Sequence, residues 1–126
     1  MQINISTGYA LQIMLYLAKN RRTVSSLELT KNIAVSQRYL FEVAGKLRNG
    51  GFIETKIGKG GGYTLNKEPS MISLYDVILL MEGGVHMPDS VAAPVYDNSR
   101  LVDALRFLTD YIEAYFRSFT LDKLTN

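Results

Sequence analysis

The order of apolar and polar positions predicts two helices in the first third of the chain. From about Ile5 to Asn20 the sequence is almost wholly apolar and rich in Ala, Leu and Met, which predicts a buried first helix. Ser25 is followed three residues later by Glu28, the spacing of a capping box. A second helix is therefore predicted from about Ser26 to Ile33.

A third helix is predicted after the short turn at Ala34 and Val35, with Ser36 as its N-cap. Its inward face is given by Leu40, Val43, Ala44 and Leu47, which recur at i, i+3, i+4 and i+7. Its outward positions are Gln37, Arg38, Phe41, Gly45, Lys46 and Asn49. Two short helices joined by a turn are the parts of a helix-turn-helix, although any two short amphipathic helices share this pattern.

The glycine-rich stretch GKGGGYTL, residues 58–65, lies between two segments with strand character. FIETKI and YTLN both alternate apolar and polar residues, which predicts a β-hairpin. A phosphate-binding loop or a dinucleotide fingerprint would have to open a helix, and here the glycines lead into a strand pattern. A hairpin after a helix-turn-helix is a wing, and Lys56 and Lys59 would reach phosphates or the minor groove.

The second half of the chain begins with another capping signal, Ser73 followed by Asp76, which predicts a short helix ending at Gly83-Gly84. Residues 85–99 carry two of the three prolines and no period, so a loop is predicted there. His86 lies alone in this loop, and a histidine without partner residues is more often a surface residue than a ligand.

The last predicted element is a long helix, capped by Asp97 or Ser99, with a heptad-like apolar stripe. We expect it to form most of a homodimer interface, the alternative being a helix that packs only within its own chain. The spacing of 4, 3, 4, 3 and 4 residues connects Leu101, Leu105, Leu108, Ile112, Tyr115 and Phe119.

Composition and charge restrict the class of function. Residues 1–67 hold ten Lys and Arg against three Glu, net +7, whereas residues 68–126 hold four basic against nine acidic residues, net −5. A basic half facing a polyanion would show this asymmetry, and so would an ordinary solvated charge pattern. No signal peptide and no long apolar run is evident, so a cytoplasmic protein without a membrane partner is expected.

Several chemistries are disfavoured by the residues that the chain lacks. With no cysteine among 126 residues there is no thiolate zinc site, no cysteine-ligated cluster and no cysteine nucleophile. A single histidine and scattered carboxylates do not form a Ser/His/Asp set or a pair of buried acids. We therefore expect no enzyme activity.

Four stretches together resemble the Rrf2 (Rrf-two) family of bacterial winged-helix regulators, and the resemblance covers nearly the whole chain. It implies a mainly α fold with a small β-hairpin: a winged helix-turn-helix in residues 1–67, and a linker helix, a loop and a long dimerisation helix in residues 68–126. The matching stretches are YALQIMLYLA at 9–18, SQRYLFEVAGKLRNGGFIETKIGKGGGYTL at 36–65, SLYDVILLMEG at 73–83 and FTLDKL at 119–124.

The resemblance implies a sequence-specific transcriptional repressor that binds a palindromic operator in double-stranded DNA as a homodimer in the bacterial nucleoid. The alternative is a module whose winged helix binds a protein. Ser36 would also serve as a helix cap, Tyr39 could pack inward and Lys46 could be simply solvated. Carried over by position, the DNA-binding residues are Ser36, Gln37, Arg38, Tyr39, Lys46, Lys56, Lys59 and Gly60.

This chain departs from the family pattern in the region that senses signals. Cluster-binding members of the family carry three cysteines in the loop before the long helix, and residues 84–98 carry none. An iron–sulfur cofactor is therefore not expected, and control by a small molecule, by a partner protein or by neither stays open. An effector pocket could be lined by Tyr75, Met81, Met87, Tyr96 and Tyr111, which would otherwise be ordinary core or dimer contacts.

Overall fold

The computed structural model describes residues 3–86, 89–92 and 96–125. It confirms the predicted mainly α fold with a small β-hairpin. The regular elements are α1 (Ile5–Lys19), α2 (Ser26–Ile33), α3 (Gln37–Asn49), β1 (Ile53–Lys56), β2 (Gly62–Leu65), α4 (Leu74–Glu82), α5 (Asp89–Ala92) and α6 (Ser99–Ser118), with 3-10 turns at Pro69–Met71 and Leu121–Leu124.

The helix starts follow the capping signals in the sequence. The Ser36 hydroxyl accepts a hydrogen bond from the backbone N–H of Tyr39 at 3.2 Å, which fixes the first turn of α3. At α4 the box is complete, because Ser73 and Asp76 each accept a bond from the other's backbone N–H. Gly83, with φ of 78°, ends α4 in the left-handed conformation that glycine tolerates.

One hydrophobic core joins both halves of the chain. Its centre is α1, whose Ile13, Met14 and Leu17 are at most 1% exposed. Helices α2 and α3 and strand β2 contact α1 from the first half of the chain, with β1 packed against α3, and α4 and the 3-10 turn Leu121–Leu124 contact α1 from the second half. The buried residues contributed by these neighbours include Leu40, Leu47, Ile53, Ile72, Val77 and Leu121.

The wing contains a third extended segment besides its two strands. Strands β1 and β2 pair antiparallel in a register that runs from Ile53 opposite Leu65 to Lys56 opposite Gly62. Val24, just before α2, pairs with Tyr63 on the other side of β2 through two backbone hydrogen bonds of 2.9 and 2.8 Å. The wing is therefore attached directly to the start of the helix-turn-helix.

Helix α6 is 20 residues long, and none of its residues is buried within this chain. The N-cap of α6 is Asn98, which forms no side-chain capping bond, so the predicted cap at Asp97 or Ser99 is wrong; the Asp97 carboxylate instead accepts a hydrogen bond from the Ser99 N–H at 3.0 Å, just before the first turn. Helix α6 packs on α4, and the segment after it is fixed by a backbone bond from Leu74 to Phe119 O. Within the predicted loop 85–99, the structure adds the short helix α5.

Among the helices that the structure describes, none combines the length and the apolar character that a membrane span requires.

Candidate nucleic-acid interface

The first turn of α3 presents polar side chains to solvent. Ser36, Gln37 and Arg38 are all exposed, and the burial of Leu40 and Leu47 on the opposite face fixes the orientation of the helix. The N-terminal turn of the second helix of a helix-turn-helix is the part that enters a major groove. Arg and Gln there can form bidentate hydrogen bonds to guanine and adenine edges, respectively.

Tyr39 anchors this turn to α1. Its ring is half-buried and meets the Tyr9 ring edge to face, with centroids 5.4 Å apart and planes at 71°. A shallow groove of about 390 Å³ runs beside the pair and is also lined by Ile5, Val35 and Ser36. The predicted inward alternative therefore holds for most of the Tyr39 ring.

The other predicted DNA-binding residues lie on exposed positions of α3 and the wing. Lys46 is exposed in the third turn of α3, Lys56 ends β1, and Lys59 lies in the turn between the strands. Gly60 next to it has a φ of 75°, which favours glycine.

The glycine run also has a structural role that the sequence did not reveal. A Cβ on Gly61 would lie 2.3 Å from the carbonyl oxygen of Lys56, and one on Gly62 would lie 2.1 Å from that of Val24. These two glycines are required by the wing's own backbone, whatever the wing contacts.

The basic residues fall into two groups by their partners. Arg21 pairs with Glu68 at 3.4 Å and Arg22 pairs with Glu28 at 2.7 Å. Within the described ranges, no acidic side chain forms an ion pair with the basic residues of α3 and the wing, namely Arg38, Lys46, Arg48, Lys56 and Lys59. Their charge is therefore available to an external anion.

The Arg22–Glu28 pair joins the segment before α2 to the first turn of α2. The two terminal nitrogens of the Arg22 guanidinium, Nη1 and Nη2, donate to the Glu28 carboxylate. The Tyr16 hydroxyl donates to the same carboxylate at 2.6 Å. The hydrogen bonds from Arg22 and Tyr16 lower the pKa of Glu28 to about 2, and the bond to Glu28 raises the pKa of Tyr16. The sequence predicted a capping box here, but the structure shows only half of one, because the Glu28 carboxylate turns to Arg22 and not to the Ser25 backbone.

Two large apolar side chains of α3 and the wing are exposed. Phe41 on α3 is 51% exposed, and Ile57 at the start of the wing turn is 93% exposed. Phe41 was predicted to face outward, but Ile57 was not singled out. The alternation that places Ile53 inward would also place Ile57 inward, and it fails because β1 ends at Lys56.

The aromatic and methionine residues suggested as an effector pocket are not gathered in one place. Tyr75 is buried and has the Arg117 guanidinium 4.1 Å from its ring centroid, whereas Tyr96 and Tyr111 are largely exposed. Met87 lies outside the described residues. A different cavity of about 200 Å³ lies where α4 ends, and its lining residues are Ile3, Ile78, Glu82, Gly84, Val85, His86 and Phe116.

The donor set does not fit an iron–sulfur cluster or another bound metal. The full sequence holds no cysteine. In the parts of the chain that the structure describes, no three His, Asp or Glu side chains come together in a metal-binding group.

Comparison with known proteins gives the same fold and a regulatory family. Residues 3–126 match the model of the Rrf2 family, described as an iron-dependent transcriptional regulator. The chain is similar to the protein aau3 of Rhizobium meliloti, with 29% identity over 98% of this chain and 84% of that protein. It is 35% identical to the HTH-type transcriptional regulator CymR of Bacillus subtilis over 68% of this chain and 63% of CymR.

Solved structures extend the match over the full length. The structure of CymR, the global cysteine regulator of B. subtilis, superimposes with a TM-score of 0.89 at 26% identity and covers 99% of this chain and 96% of that one. The T. potens IscR structure has a TM-score of 0.82 at 25% identity and covers 98% and 85%. The chain therefore belongs to the Rrf2 family of transcriptional regulators and is a DNA-binding regulator with a winged-helix fold.

Proposed function

We propose that this protein is a repressor that binds a palindromic operator as a homodimer without an iron–sulfur cluster. The observation that carries the proposal is the set of exposed polar and basic side chains on α3 and the wing, whose cations form no ion pair with any described acid. In this proposal Gln37 and Arg38 read base edges in the major groove, while Lys56 and Lys59 contact the backbone beside the minor groove.

In this proposal the two halves of the chain have different roles. Residues 1–67 hold α1 to α3 and the wing and bind DNA, and residues 68–126 hold α4 to α6 and dimerise. The shared core means that both parts move as one body, so the spacing of the two reading helices is set by the dimer contact.

The dimer contact is supported by the apolar surface of α6. Of the six stripe residues, Leu105 and Ile112 are half-buried, and Phe119 follows the end of the helix. The neighbouring face is left uncovered by this chain, with Leu101, Phe107, Leu108, Tyr111 and Tyr115 each 46–75% exposed. A row of large apolar side chains on one helix is what a partner copy would cover.

A two-fold dimer dictates the form of the operator. Each α3 reads one half-site, and in helix-turn-helix dimers the half-site centres lie about 34 Å apart or a multiple of it. A dimer bound across a promoter excludes polymerase and thereby represses. Its signal, where it has one, would be a small molecule or a partner protein, and the cavity of about 200 Å³ where α4 ends is one place with room for a small ligand.

The proposal is tested by titrating the purified protein with fragments of its own genome at two salt concentrations, followed by footprinting of the tightest fragment. A repressor should protect a two-fold symmetric site with salt-dependent affinity and should lower transcription from the attached promoter. Binding that is indifferent to salt, or absent from every duplex, would contradict it and would favour a module that binds a protein.

A further inference from the structure

An exposed aromatic ring lies in the middle of the reading surface of α3. Phe41 is 51% exposed and follows Arg38 by three residues and Gln37 by four, so it lies one turn further along the same side of the helix. The fully buried Leu40 and Leu47 hold the opposite face in the core. Helix α3 therefore cannot rotate to cover the Phe41 ring.

One turn beyond Phe41 the helix carries Gly45, which the fold does not require. A Cβ added at this position would meet no atom within 4 Å, and the residue is in the interior of α3. Glycine is the poorest helix former after proline, so its presence here is unfavourable for folding. The bare backbone leaves clearance beside the Phe41 ring for something outside the chain.

We infer that Phe41 contacts the 5-methyl group of a thymine in the major groove and that Gly45 provides the clearance for this contact. The inference rests on the proposed function and names a base that the surface reads. The thymine methyl is the apolar group that the four bases present in the major groove, and an aromatic side chain is one of its usual partners.

The surroundings of Phe41 favour DNA over an apolar protein surface as the occupant. Arg38, Lys46 and Arg48 share the exposed side of α3, and Glu42 is the single acid in this helix. Phe41 is the one exposed large apolar side chain of α3, and a single ring flanked by cations is too small an apolar area for a protein interface. It suits a polyanion that presents one methyl group between polar base edges.

The experiment starts from duplexes selected by the wild-type protein from a random pool. Each thymine of the selected site is then replaced singly by deoxyuridine, which removes the methyl group and leaves every hydrogen-bonding group in place. At one position in each half-site we expect the dissociation constant to rise about four-fold, the effect of burying one methyl group. Phe41→Ala should bind the thymine and deoxyuridine duplexes equally, and Phe41→Leu should keep part of the difference.

A second variant tests the clearance independently of the ring. Gly45→Ala should melt at a higher temperature than the wild type and yet bind the selected duplex more weakly, because the added methyl group occupies the approach path. The control for Phe41→Ala is Met71→Ala, which truncates a side chain that is 71% exposed and lies outside α3 and the wing. Met71→Ala should leave DNA binding unchanged.

The outcomes separate the inference from the function on which it rests. A selected site that tolerates deoxyuridine at every position, or a Phe41→Ala variant that keeps the full discrimination, overturns the inference while DNA binding stands. A Gly45→Ala variant with undiminished affinity overturns the role of the glycine. A wild-type protein that enriches no duplex overturns the proposed function and the inference together.

Discussion

Arg22 binds Glu28 through two hydrogen bonds, in which its terminal nitrogens Nη1 and Nη2 donate to the two carboxylate oxygens at 3.0 and 2.7 Å. Tyr16 of α1 donates to one of the same oxygens, so the cluster ties α1, the segment before α2 and the first turn of α2 together. The helix-turn-helix is thereby attached to the central helix of the core by a polar contact at its edge.

Because of this cluster, the free energy of unfolding should fall at low pH. The pKa of Glu28 is lowered to about 2 from an ordinary value of 4.5, so the folded state favours the ionised carboxylate. The contribution is therefore fully present above about pH 4.5 and is lost as the pH falls towards 2. Glu28→Gln should have a lower free energy of unfolding than the wild type at pH 7, and the difference should shrink through that range.

Urea unfolding of both proteins at pH 7, 4.5, 3 and 2 measures this difference. Glu68→Gln is the matched control, since the Glu68 pair with Arg21 is longer, at 3.4 Å, and both side chains are largely exposed. It should change stability much less than Glu28→Gln does. A difference for Glu28→Gln that stays constant from pH 7 to pH 2 would contradict the assignment.

The glycines of the wing should differ sharply in their tolerance of alanine. At Gly62, φ is 149° and a Cβ would lie 2.1 Å from the Val24 carbonyl oxygen, whereas at Gly60 φ is 75° and a Cβ would meet nothing within 4 Å. Gly60→Ala should cost about 1–2 kcal/mol, the price of the left-handed conformation alone. Gly62→Ala should cost more, because the bridge between Val24 and Tyr63 must also open.

Thermal unfolding, with amide hydrogen exchange at Val24 and Tyr63, measures both effects. Faster exchange at these two amides in Gly62→Ala, with near wild-type exchange in Gly60→Ala, is the expected result. Equal losses of stability in the two variants would show that the close approach to Val24 does not limit the wing.

How far the sequence predicts this fold depends on whether a feature is local. The caps at Ser25, Ser36 and Ser73 were predictable because an N-cap bond spans three residues. The prediction that the Glu28 carboxylate bonds to the Ser25 backbone was wrong. Its partners Arg22 and Tyr16 lie six and twelve residues away, and their approach depends on the packing of α1.

The candidate site shows the same limit. Exposed polar residues at the start of α3 followed from the buried period of that helix, so Gln37 and Arg38 were predictable. The roles of Gly61 and Gly62 were not, because the carbonyl groups that they would strike belong to a neighbouring strand and to the segment before α2. Ile57 was missed because period 2 cannot tell where a strand ends.

Removal of Lys59 and removal of Arg38 should change DNA binding in different ways. Lys59 in the wing turn contacts phosphate in the proposed complex, so Lys59→Ala should weaken binding to all duplexes alike and reduce the slope of log K against log salt by about one. Arg38 contacts a base edge in the same proposed complex, so Arg38→Ala should lose about 1–3 kcal/mol on the operator and relax the preference at one base pair in each half-site.

Fluorescence anisotropy over a series of salt concentrations, on the operator and on a scrambled duplex, measures both quantities. Lys31→Ala is a control of the same kind as Lys59→Ala, because Lys31 is an exposed lysine in the last turn of α2 and outside the proposed contacts. It should leave the salt slope unchanged. Identical profiles for Lys59→Ala and Arg38→Ala would argue against the separate roles of wing and reading helix.

The uncovered face of α6 should decide whether the protein is a dimer. Leu108 is 51% exposed near the middle of that face, with Leu101 one heptad before it and Tyr115 one heptad after it. In a dimer Leu108→Glu would bury a carboxylate against apolar side chains, which is strongly unfavourable. In a monomer the same glutamate would remain in water and change little.

Sedimentation equilibrium should therefore show a dimer for the wild-type protein and a monomer for Leu108→Glu, with unchanged helix content by circular dichroism. Arg106→Glu places the same side chain at an exposed position on the opposite side of α6 and should remain dimeric. Because a monomer presents one reading helix, Leu108→Glu should also lose most of its affinity for a two-fold operator and keep half-site binding. A wild-type monomer, or a dimer that survives Leu108→Glu, would place the contact elsewhere.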